Sequence, residues 1–225
     1  MIRYSRLRTF AAGLSMMISG VFLTATATAD VYWDQKTSLF ELLPIENDDI
    51  VFLGNSITDG GEFNELFGMN NIKNRGIRSD VIPGVEKRLP QVTSGHPKKI
   101  FLLIGINDVS HGLSVDQLAA RYRSLVAKIK EQSPDTELFI QSVMPINNSI
   151  TKYKSLIGKE KTIRQFNERI KAIAESAGAT YVDLWPALAD GKGNLKKAYT
   201  NDGLHLTGAG YKAWRDAIRE LVVSE

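Results

Sequence analysis

Two apolar runs without polar interruption stand out along the chain, and a glycine follows each of them. The first reads Ile-Val-Phe-Leu over residues 50–53, and the second, after Lys99, reads Ile-Phe-Leu-Leu-Ile over residues 100–104. Short β-rich runs without polar alternation are typical of strands that are buried on both faces of a parallel sheet. The pattern therefore predicts two central strands, Ile50–Leu53 and Lys99–Ile104.

Elsewhere, apolar residues recur at helical spacing or form shorter β-rich runs. The clearest helix begins after its cap Ser114 and ends at Ser133, and a second spans about Lys161–Ala177 before Gly178. Further helices are predicted at Tyr32–Leu43, at Phe63–Phe67, from Ser79 or Asp80 to Leu89, and from Thr207 through Leu221, and further strands near Asn71–Lys73, at Leu138–Met144 and at Tyr181–Leu184. Five predicted strands thus alternate with helices.

This alternation predicts an α/β fold, a three-layer α/β/α sandwich around a parallel sheet with right-handed crossovers. We expect a flavodoxin-like five-stranded parallel sheet with strand order 2-1-3-4-5. Phosphate-binding motifs do not accompany the pattern, since residues 54–58 lack the Gly-Lys-Ser/Thr continuation of a P-loop and no Gly-x-Gly-x-x-Gly follows a strand. Nucleotide binding is therefore disfavoured.

The first 29 residues have a composition of their own. Three arginines precede an apolar stretch over Phe10–Leu23, and the segment ends in an Ala-Thr-Ala triplet before Asp30. This pattern is typical of a secretory signal peptide, and the apolar stretch is shorter than the roughly 20 residues that span a bilayer. The sequence predicts a signal peptide over 1–29 and a single domain over 30–225, exported to the periplasm or the extracellular space without stable insertion in the membrane.

Charge and cysteine content narrow the classes of partner. The chain has 28 basic and 25 acidic residues, and three of the arginines belong to the predicted signal peptide, so the remainder carries no net formal charge. This balance favours neither nucleic acid nor an anionic membrane surface as a partner. The chain contains no cysteine, which excludes disulfides and a lipid attached through a thiol.

Ser56 lies just beyond the first predicted strand. In open α/β sheets, ligands bind in the crevice beyond the carboxyl ends of the strands, so this serine occupies a position where a nucleophile could act. The alternative is that Ser56 only caps the next helix.

Gly76 and Asn107 follow the two strands that would flank the first one in the order 2-1-3-4-5. The backbone N–H of Gly76 and the side-chain amide of Asn107 are groups that stabilise a developing oxyanion when an ester carbonyl is attacked. Each has an alternative role, because Gly76 could serve a left-handed turn and Asn107 could hold its own loop.

Asp202 and His205 lie three residues apart, just ahead of the last predicted helix. This spacing lets the carboxylate reach Nδ1 of the imidazole while Nε2 faces the serine; the alternative is a pair of polar turn residues. The pair lacks a third ligand at recognisable spacing, so a metal site is not expected. His96 and His111 have no acidic partner at useful spacing, which favours solvated structural roles for both.

Four motifs resemble, in order, the conserved blocks of the SGNH or GDSL-type serine hydrolases. They are Gly-Asn-Ser-Ile-Thr at 54–58, Asn-Arg-Gly at 74–76, Gly-Ile-Asn-Asp at 105–108 and Asp-Gly-Leu-His-Leu-Thr at 202–207. The resemblance spans nearly the whole chain after the predicted signal peptide, and it is closest to the acetylhydrolase-like and carbohydrate-acetylesterase branches.

The resemblance implies a role for each matched residue. Ser56 would be the nucleophile, Asp202 and His205 would complete the triad, and Gly76 and Asn107 together with the Ser56 amide would form the oxyanion hole, without a metal or other cofactor. One departure is Asn55, which stands where the family usually has an acid. This change leaves the triad intact.

The sequence thus predicts a secreted serine esterase that hydrolyses a short-chain ester, most simply an acetyl ester, on a carbohydrate or small molecule. The segment Pro145–Gly158 is polar and could hydrogen-bond sugar hydroxyls, and the loops after strands 1 to 4 lack the apolar runs that a long acyl chain would need. The polar residues of that segment are Asn147, Asn148, Thr151, Lys152 and Tyr153. The alternatives are a lysophospholipase or thioesterase built on the same site, and a non-catalytic carbohydrate-binding module.

Overall fold

A five-stranded parallel sheet forms the centre of the chain. The computed structural model describes residues 22–224, with side chains from residue 31 to residue 224. Within this part the strand order is β2-β1-β3-β4-β5, as predicted. The strands are β1 Ile50–Gly54, β2 Ile72–Gly76, β3 Lys99–Leu103, β4 Glu137–Gln141 and β5 Thr180–Val182.

Helices connect the strands and confirm the predicted α/β class. The longer ones are α1 Phe22–Glu41, α7 Val115–Gln132, α8 Glu160–Ser176 and α10 Gly208–Val223, and the shorter ones are α2 Ser56–Asp59, α3 Phe63–Phe67, α4 Ile82–Lys87, α5 Pro90–Thr93, α6 Ile106–Ser110 and α9 Trp185–Leu188. Each helix between paired parallel strands is part of a crossover, which brings the chain back to the end of the sheet where the next parallel strand begins.

The apolar runs form the middle of the sheet. Every residue of β1 and of β3 is buried, and β1 pairs with β2 on one side and β3 on the other. Phe101 stacks between Phe52 and Phe139 with ring centroids 5.1 Å and 4.5 Å away, so one aromatic row crosses three strands. Stacked aromatic side chains bury large areas, which fixes the strand carrying the Ser56 turn in the core.

Several element boundaries differ from the prediction, and two of these differences lie next to the site. The second strand continues to Gly76, which pairs with Gly54 at the end of β1, so Gly76 lies in the sheet rather than in a loop beyond it. The helix expected from Ser79 or Asp80 to Leu89 is shorter and corresponds to α4, Ile82–Lys87, while α5 begins beyond it at Pro90. Ser79 has a left-handed φ of 63° that a helix cannot continue through.

The predicted signal peptide falls mostly on residues 1–21, which lie outside the described residues. Its last residues belong to α1, which begins at Phe22 and runs through the predicted cleavage position to Glu41. Signal peptide, domain boundary and export therefore stay predictions. Among the described helices, none combines the length and apolarity that a membrane crossing requires.

Candidate active site

The turn between β1 and α2 presents Ser56 at the carboxyl edge of the sheet. Asn55 is the N-cap, and its Oδ1 accepts a hydrogen bond from the Ile57 backbone at 3.0 Å. Asn55 thus fills the capping role that was the alternative for Ser56, and it does so without a charge. A Cβ at Gly54 would lie 2.4 Å from the Leu103 carbonyl oxygen, so the tight turn requires glycine there.

Ser56, His205 and Asp202 form a continuous hydrogen-bonded chain. Ser56 Oγ lies 2.9 Å from His205 Nε2, and His205 Nδ1 lies 2.8 Å from Asp202 Oδ2. The two sides of this chain are 149 residues apart in sequence. Nucleophile, base and orienting acid in hydrogen-bond reach of one another are the arrangement that activates a serine.

Hydrogen bonds hold the Asp202 carboxylate in its charged form. Its Oδ1 accepts from the backbone N–H groups of Leu204 at 2.9 Å and His205 at 2.8 Å, while Oδ2 faces the imidazole. Partial burial raises the pKa of Asp202, but the hydrogen bonds from the His205 ring and these two amides outweigh it, so the net pKa lies below its ordinary value. The acid is therefore ionised at neutral pH and fixed in orientation.

Tyr153 covers the acid–base pair from the loop after β4. Its hydroxyl lies 3.3 Å from Asp202 Oδ2 and 3.1 Å from His205 Nδ1, and its ring meets the imidazole edge to face at 5.5 Å. Burial, and then the Asp202 charge, raise the pKa of Tyr153, so it stays protonated. The sequence pointed to Tyr153 only as a sugar contact and did not reveal its position on the triad.

Gly76 does not have the role that the family resemblance implied. Its backbone N–H donates to Asn74 Oδ1 at 2.7 Å, and a Cβ at this position would lie 2.1 Å from the Asp59 backbone nitrogen. Gly76 is buried at the end of β2, where the strand packs against α2, and it is not among the residues that line the cavity at Ser56. Its glycine allows the sheet and helix to approach closely, so the prediction of Gly76 as an oxyanion donor is wrong.

Ser79, three residues further on, does lie at the cavity. It is exposed at the third position of a turn that the Asp80 N–H closes onto the Ile77 carbonyl. Its φ of 63° is uncommon for a residue other than glycine. Within residues 31–224, the backbone N–H groups of Ser56 and Ser79 have no hydrogen-bond acceptor, so both are available to an oxyanion. A serine at a turn position that favours glycine gave only a weak sequence signal.

Asn107 lies where the sequence placed it. It lines the cavity with Ser56, and one hydrogen of its amide is donated to the Asp80 carbonyl at 2.8 Å, leaving the other for a ligand. The turn before it passes through Gly105 at a φ of 122°, where a Cβ would lie 2.6 Å from the Phe166 ring. This glycine is needed both for its backbone angle and for close packing.

A buried ion pair supports this side of the site. Arg88 Nε donates to Asp80 Oδ2 at 2.8 Å, and another nitrogen of the same guanidinium donates to the Gly54 carbonyl at 3.0 Å. Burial raises the pKa of Asp80, although the Arg88 charge opposes this, and burial lowers the pKa of Arg88. The pair joins the end of β1 to the turn that carries Ser79 and holds Asn107.

The polar segment Pro145–Gly158 is used mostly for internal contacts. Asn147 is buried and donates to the Leu195 carbonyl at 2.7 Å, and Asn148 contacts Glu160. The oxygen of Thr151 accepts from the Tyr153 backbone at 3.2 Å. Of the predicted sugar contacts, Tyr153 lines the cavity, whereas Asn147, Asn148, Thr151 and Lys152 do not.

The other histidines stand apart from the site. His96 and His111 are both exposed, and His96 Nδ1 lies 3.4 Å from Ser133 Oγ. No group of three or more His, Cys, Asp or Glu side chains within the described part of the chain is arranged to hold a metal ion.

The cavity above the triad is open, and both polar and apolar surface line it. It encloses about 380 Å³ and reaches Ser56, Asn107 and His205 at its base. Its other lining residues are Gly60, Arg78, Ser79, Tyr153, Leu206 and Tyr211. The apolar void next to the nucleophile turn, lined by Asn55, Ile57 and Leu103 among others, holds only about 10 Å³.

Comparison with known proteins identifies relatives of this fold and site. A family model described as the GDSL-like Lipase/Acylhydrolase family matches residues 52–213, a range that runs from β1 into α10. An N-acylneuraminate cytidylyltransferase from Escherichia coli O18:K1:H7 (strain RS218 / NMEC) is 28% identical over 180 residues, which are 77% of this chain and 40% of the relative. The chain thus spans less than half of the length of that relative.

Three solved structures extend the comparison. A protein from Streptococcus pneumonia, provisionally described as a platelet activating factor, is 26% identical with a TM-score of 0.84, covering 92% of this chain and 100% of its own. A GDSL-like lipase from Bacteroides thetaiotaomicron is 22% identical with a TM-score of 0.74 and coverages of 84% and 96%. An acetylxylan esterase from Geobacillus stearothermophilus is 21% identical with a TM-score of 0.65 and coverages of 80% and 97%. The last two likenesses are of fold alone.

Proposed function

The chain belongs to the GDSL-like lipase/acylhydrolase family and is a carboxylic ester hydrolase, and on that premise we propose that it is an exported serine esterase that removes a short acyl group, in the first instance acetyl, from a carbohydrate. The hydrogen-bonded chain from Ser56 through His205 to Asp202 carries the proposal. A non-catalytic binding module would have no need of this alignment.

In the proposed mechanism, Ser56 Oγ attacks the ester carbonyl and its proton passes to His205 Nε2. Asp202 stabilises the imidazolium that forms. The oxyanion of the tetrahedral intermediate accepts hydrogen bonds from the backbone N–H groups of Ser56 and Ser79 and from the Asn107 amide. The intermediate collapses to an acyl-Ser56 as His205 returns the proton to the leaving alcohol. Water, deprotonated by the same imidazole, then releases the acid and restores Ser56.

The lining of the cavity supports a short acyl group. Leu206 and the rings of Tyr153 and Tyr211 are the apolar side-chain groups in the lining, and the other side chains around Ser56 are polar or charged. The void next to the nucleophile turn is too small for an acyl chain. Transfer of each methylene to an apolar pocket contributes about 0.8 kcal/mol, and a long chain would gain little of that here. This argues against the lipid-directed alternative.

Two relatives support a carbohydrate as the leaving group. One neighbour of the same fold is an acetylxylan esterase, and the curated relative is named for a reaction of an N-acylated sugar acid. Polar side chains and the Tyr153 ring at the rim offer the mixed surface that sugar hydroxyls and ring faces bind.

The first experiment labels the nucleophile with a serine-directed organophosphonate and measures the intact mass. We expect one adduct per chain, absent in Ser56→Ala and retained in the control Ser94→Ala, an exposed serine outside the cavity. An adduct that survives in Ser56→Ala would overturn the proposal.

A series of p-nitrophenyl esters from acetyl to octanoyl then tests acyl length. Preference for eight carbons or more would move the assignment to a lipid ester.

Export is tested separately by cell fractionation and the mass of the recovered protein. The proposal expects a mature chain that begins at Asp30, found outside the cytoplasm. Recovery of a cytoplasmic chain that retains Met1 would contradict it.

A further inference from the structure

Arg78 stands where two cavities meet. The catalytic cavity of about 380 Å³ and a neighbouring one of about 480 Å³ share Arg78 and Ser79 in their linings. The neighbouring cavity lies between α1 and the segment that leads into α4. A group attached to a substrate whose ester reaches Ser56 would pass Arg78 on its way into the second cavity.

The Arg78 guanidinium is anchored but not saturated. Its Nε donates to Asp59 Oδ2 at 3.0 Å, and its central carbon lies 5.3 Å from the centre of the Tyr32 ring. Within residues 31–224, Asp59 is its only hydrogen-bond partner, and the side chain is 67% exposed. The two terminal nitrogens are therefore presented as a fork, held in place by contacts at the other end of the group.

The charges around Arg78 leave a positive excess. Asp59 is nearly buried, and besides Arg78 it binds Lys36 Nζ at 3.0 Å and accepts from the Tyr32 hydroxyl at 3.0 Å. One carboxylate thus faces two cations. An arginine with surplus charge and two parallel N–H donors matches the two coplanar oxygens of a carboxylate.

The second cavity does not offer a better position for an anion. Lys87 sits over the Trp33 ring at 4.7 Å, but Asp34 lines the same space and offsets its charge. Asp80, also in the lining, is neutralised by Arg88. The positive excess is therefore at the junction with the catalytic cavity, and the outer space suits neutral parts of a ligand.

From this geometry we propose that Arg78 binds the carboxylate of an acidic sugar whose ester group is held at Ser56, which makes the substrate an acylated sugar acid. The inference rests on the proposed function, because it names the substrate class of the same site.

Binding tests the subsite without turnover. Glucuronic and galacturonic acids and their uronamides, which have the same shape without the charge, are titrated into the protein by calorimetry. The uronamides cannot form the charge-assisted pair with Arg78, so we expect the acids to bind with Kd values about tenfold lower than those of the amides. Arg78→Gln should remove this preference, Arg78→Lys should keep part of it, and the control Arg123→Gln, on the exposed face of α7, should keep it all. Equal Kd values for acid and amide, no binding of either acid, or a preference that survives in Arg78→Gln would each overturn the proposal.

Turnover separates the two proposals. O-acetylated glucuronic acid and its uronamide are compared by the ratio of their kcat/KM values, which should fall from about ten to about one in Arg78→Gln. A ratio that does not fall overturns the subsite, while hydrolysis of both substrates upholds the esterase. If neither these substrates nor p-nitrophenyl acetate is hydrolysed, the proposed esterase activity is overturned. The proposed carboxylate subsite at Arg78 is then tested by the calorimetric preference for the acids alone.

Discussion

The two halves of the active site are held in place by different kinds of structure. The nucleophile half, with Ser56, grows directly out of β1, a fully buried strand with a partner on each side. The base half, with Asp202 and His205, comes from a loop after the last strand of the sheet and is held by a second loop. The Asn147 N–H donates to the Gly203 carbonyl at 2.8 Å, and the Lys152 N–H to the Asp202 carbonyl at 3.0 Å.

Because of this contrast, changes on the two sides of the site should have different effects, on the stability of the fold in one case and on the alignment of the catalytic residues in the other. On the nucleophile side the supporting groups, Asp80 and Arg88, are part of the buried structure, so disturbing them acts on folding as a whole. On the base side the supporting contacts lie between two loops outside the sheet. Loops open locally at lower cost than a core does, so disturbing them acts first on the position of His205 and hence on kcat.

Breaking the buried ion pair on the nucleophile side has the largest expected effect. Arg88→Met leaves the Asp80 carboxylate buried without its cation, which should lower the free energy of unfolding by about 3–5 kcal/mol. Urea denaturation measures the loss, and Arg123→Met on the exposed surface of α7 is the control. The double variant Asp80→Asn/Arg88→Met should recover part of the stability. A loss below about 1 kcal/mol in Arg88→Met would mean that the pair does not support this half.

On the base side, Gly203→Ala should lower kcat about 10²-fold, because a shift of about 1 Å in a catalytic group has effects of that size. A Cβ there would lie 2.6 Å from the Asn147 carbonyl oxygen and 2.6 Å from the Thr151 Cα, so the loops must separate. Gly112→Ala is the matched control, since Gly112 has nearly the same φ, 82° against 84°, with no atom within 4 Å of the added Cβ. Equal kcat values for the two variants would show that loop contact does not position His205.

Tyr153→Phe removes one hydroxyl from the base side and leaves the ring. A net hydrogen bond contributes about 1 kcal/mol, so we expect kcat to fall about fivefold with KM and the free energy of unfolding nearly unchanged. Tyr199→Phe, whose hydroxyl has no hydrogen bond within the described residues, is the control. Full activity in Tyr153→Phe would reduce Tyr153 to a packing residue.

Ser79→Gly, on the nucleophile side, has the smallest expected effect and tests the backbone strain at Ser79. Glycine adopts the left-handed φ of 63° without strain, so the substitution should raise the free energy of unfolding by about 1 kcal/mol. Its kcat also distinguishes the two donors of this residue. Retained kcat assigns the oxyanion contact to the backbone N–H, and a loss of 10² or more would assign it to the hydroxyl instead.

Much of the fold could be predicted, because it follows from local patterns. The apolar runs of β1 and β3 and the periodicity of α7 and α8 depend on which side chains neighbour one another along the chain, and these elements lie where they were expected. Element ends were less predictable. The second strand extends to Gly76 because β1 offers backbone partners that far, which is a property of the neighbouring strand and not of the residues themselves.

The sequence alone determined the fold class, the strand order, the family and the identity of the residues that could form a triad, since short motifs in a fixed order identify these. Only the tertiary structure decided which of two backbone N–H groups, that of Gly76 or that of Ser79, is without a hydrogen-bond acceptor within residues 31–224. The Gly76 N–H donates to the Asn74 side chain, whereas Ser79 lines the cavity and its N–H is not used by the turn. The structure also placed the Tyr153 hydroxyl next to Asp202 and His205, and it showed that Arg78 shares its carboxylate partner Asp59 with Lys36. Each of these depends on contacts between segments distant in sequence, and no local pattern carries that information.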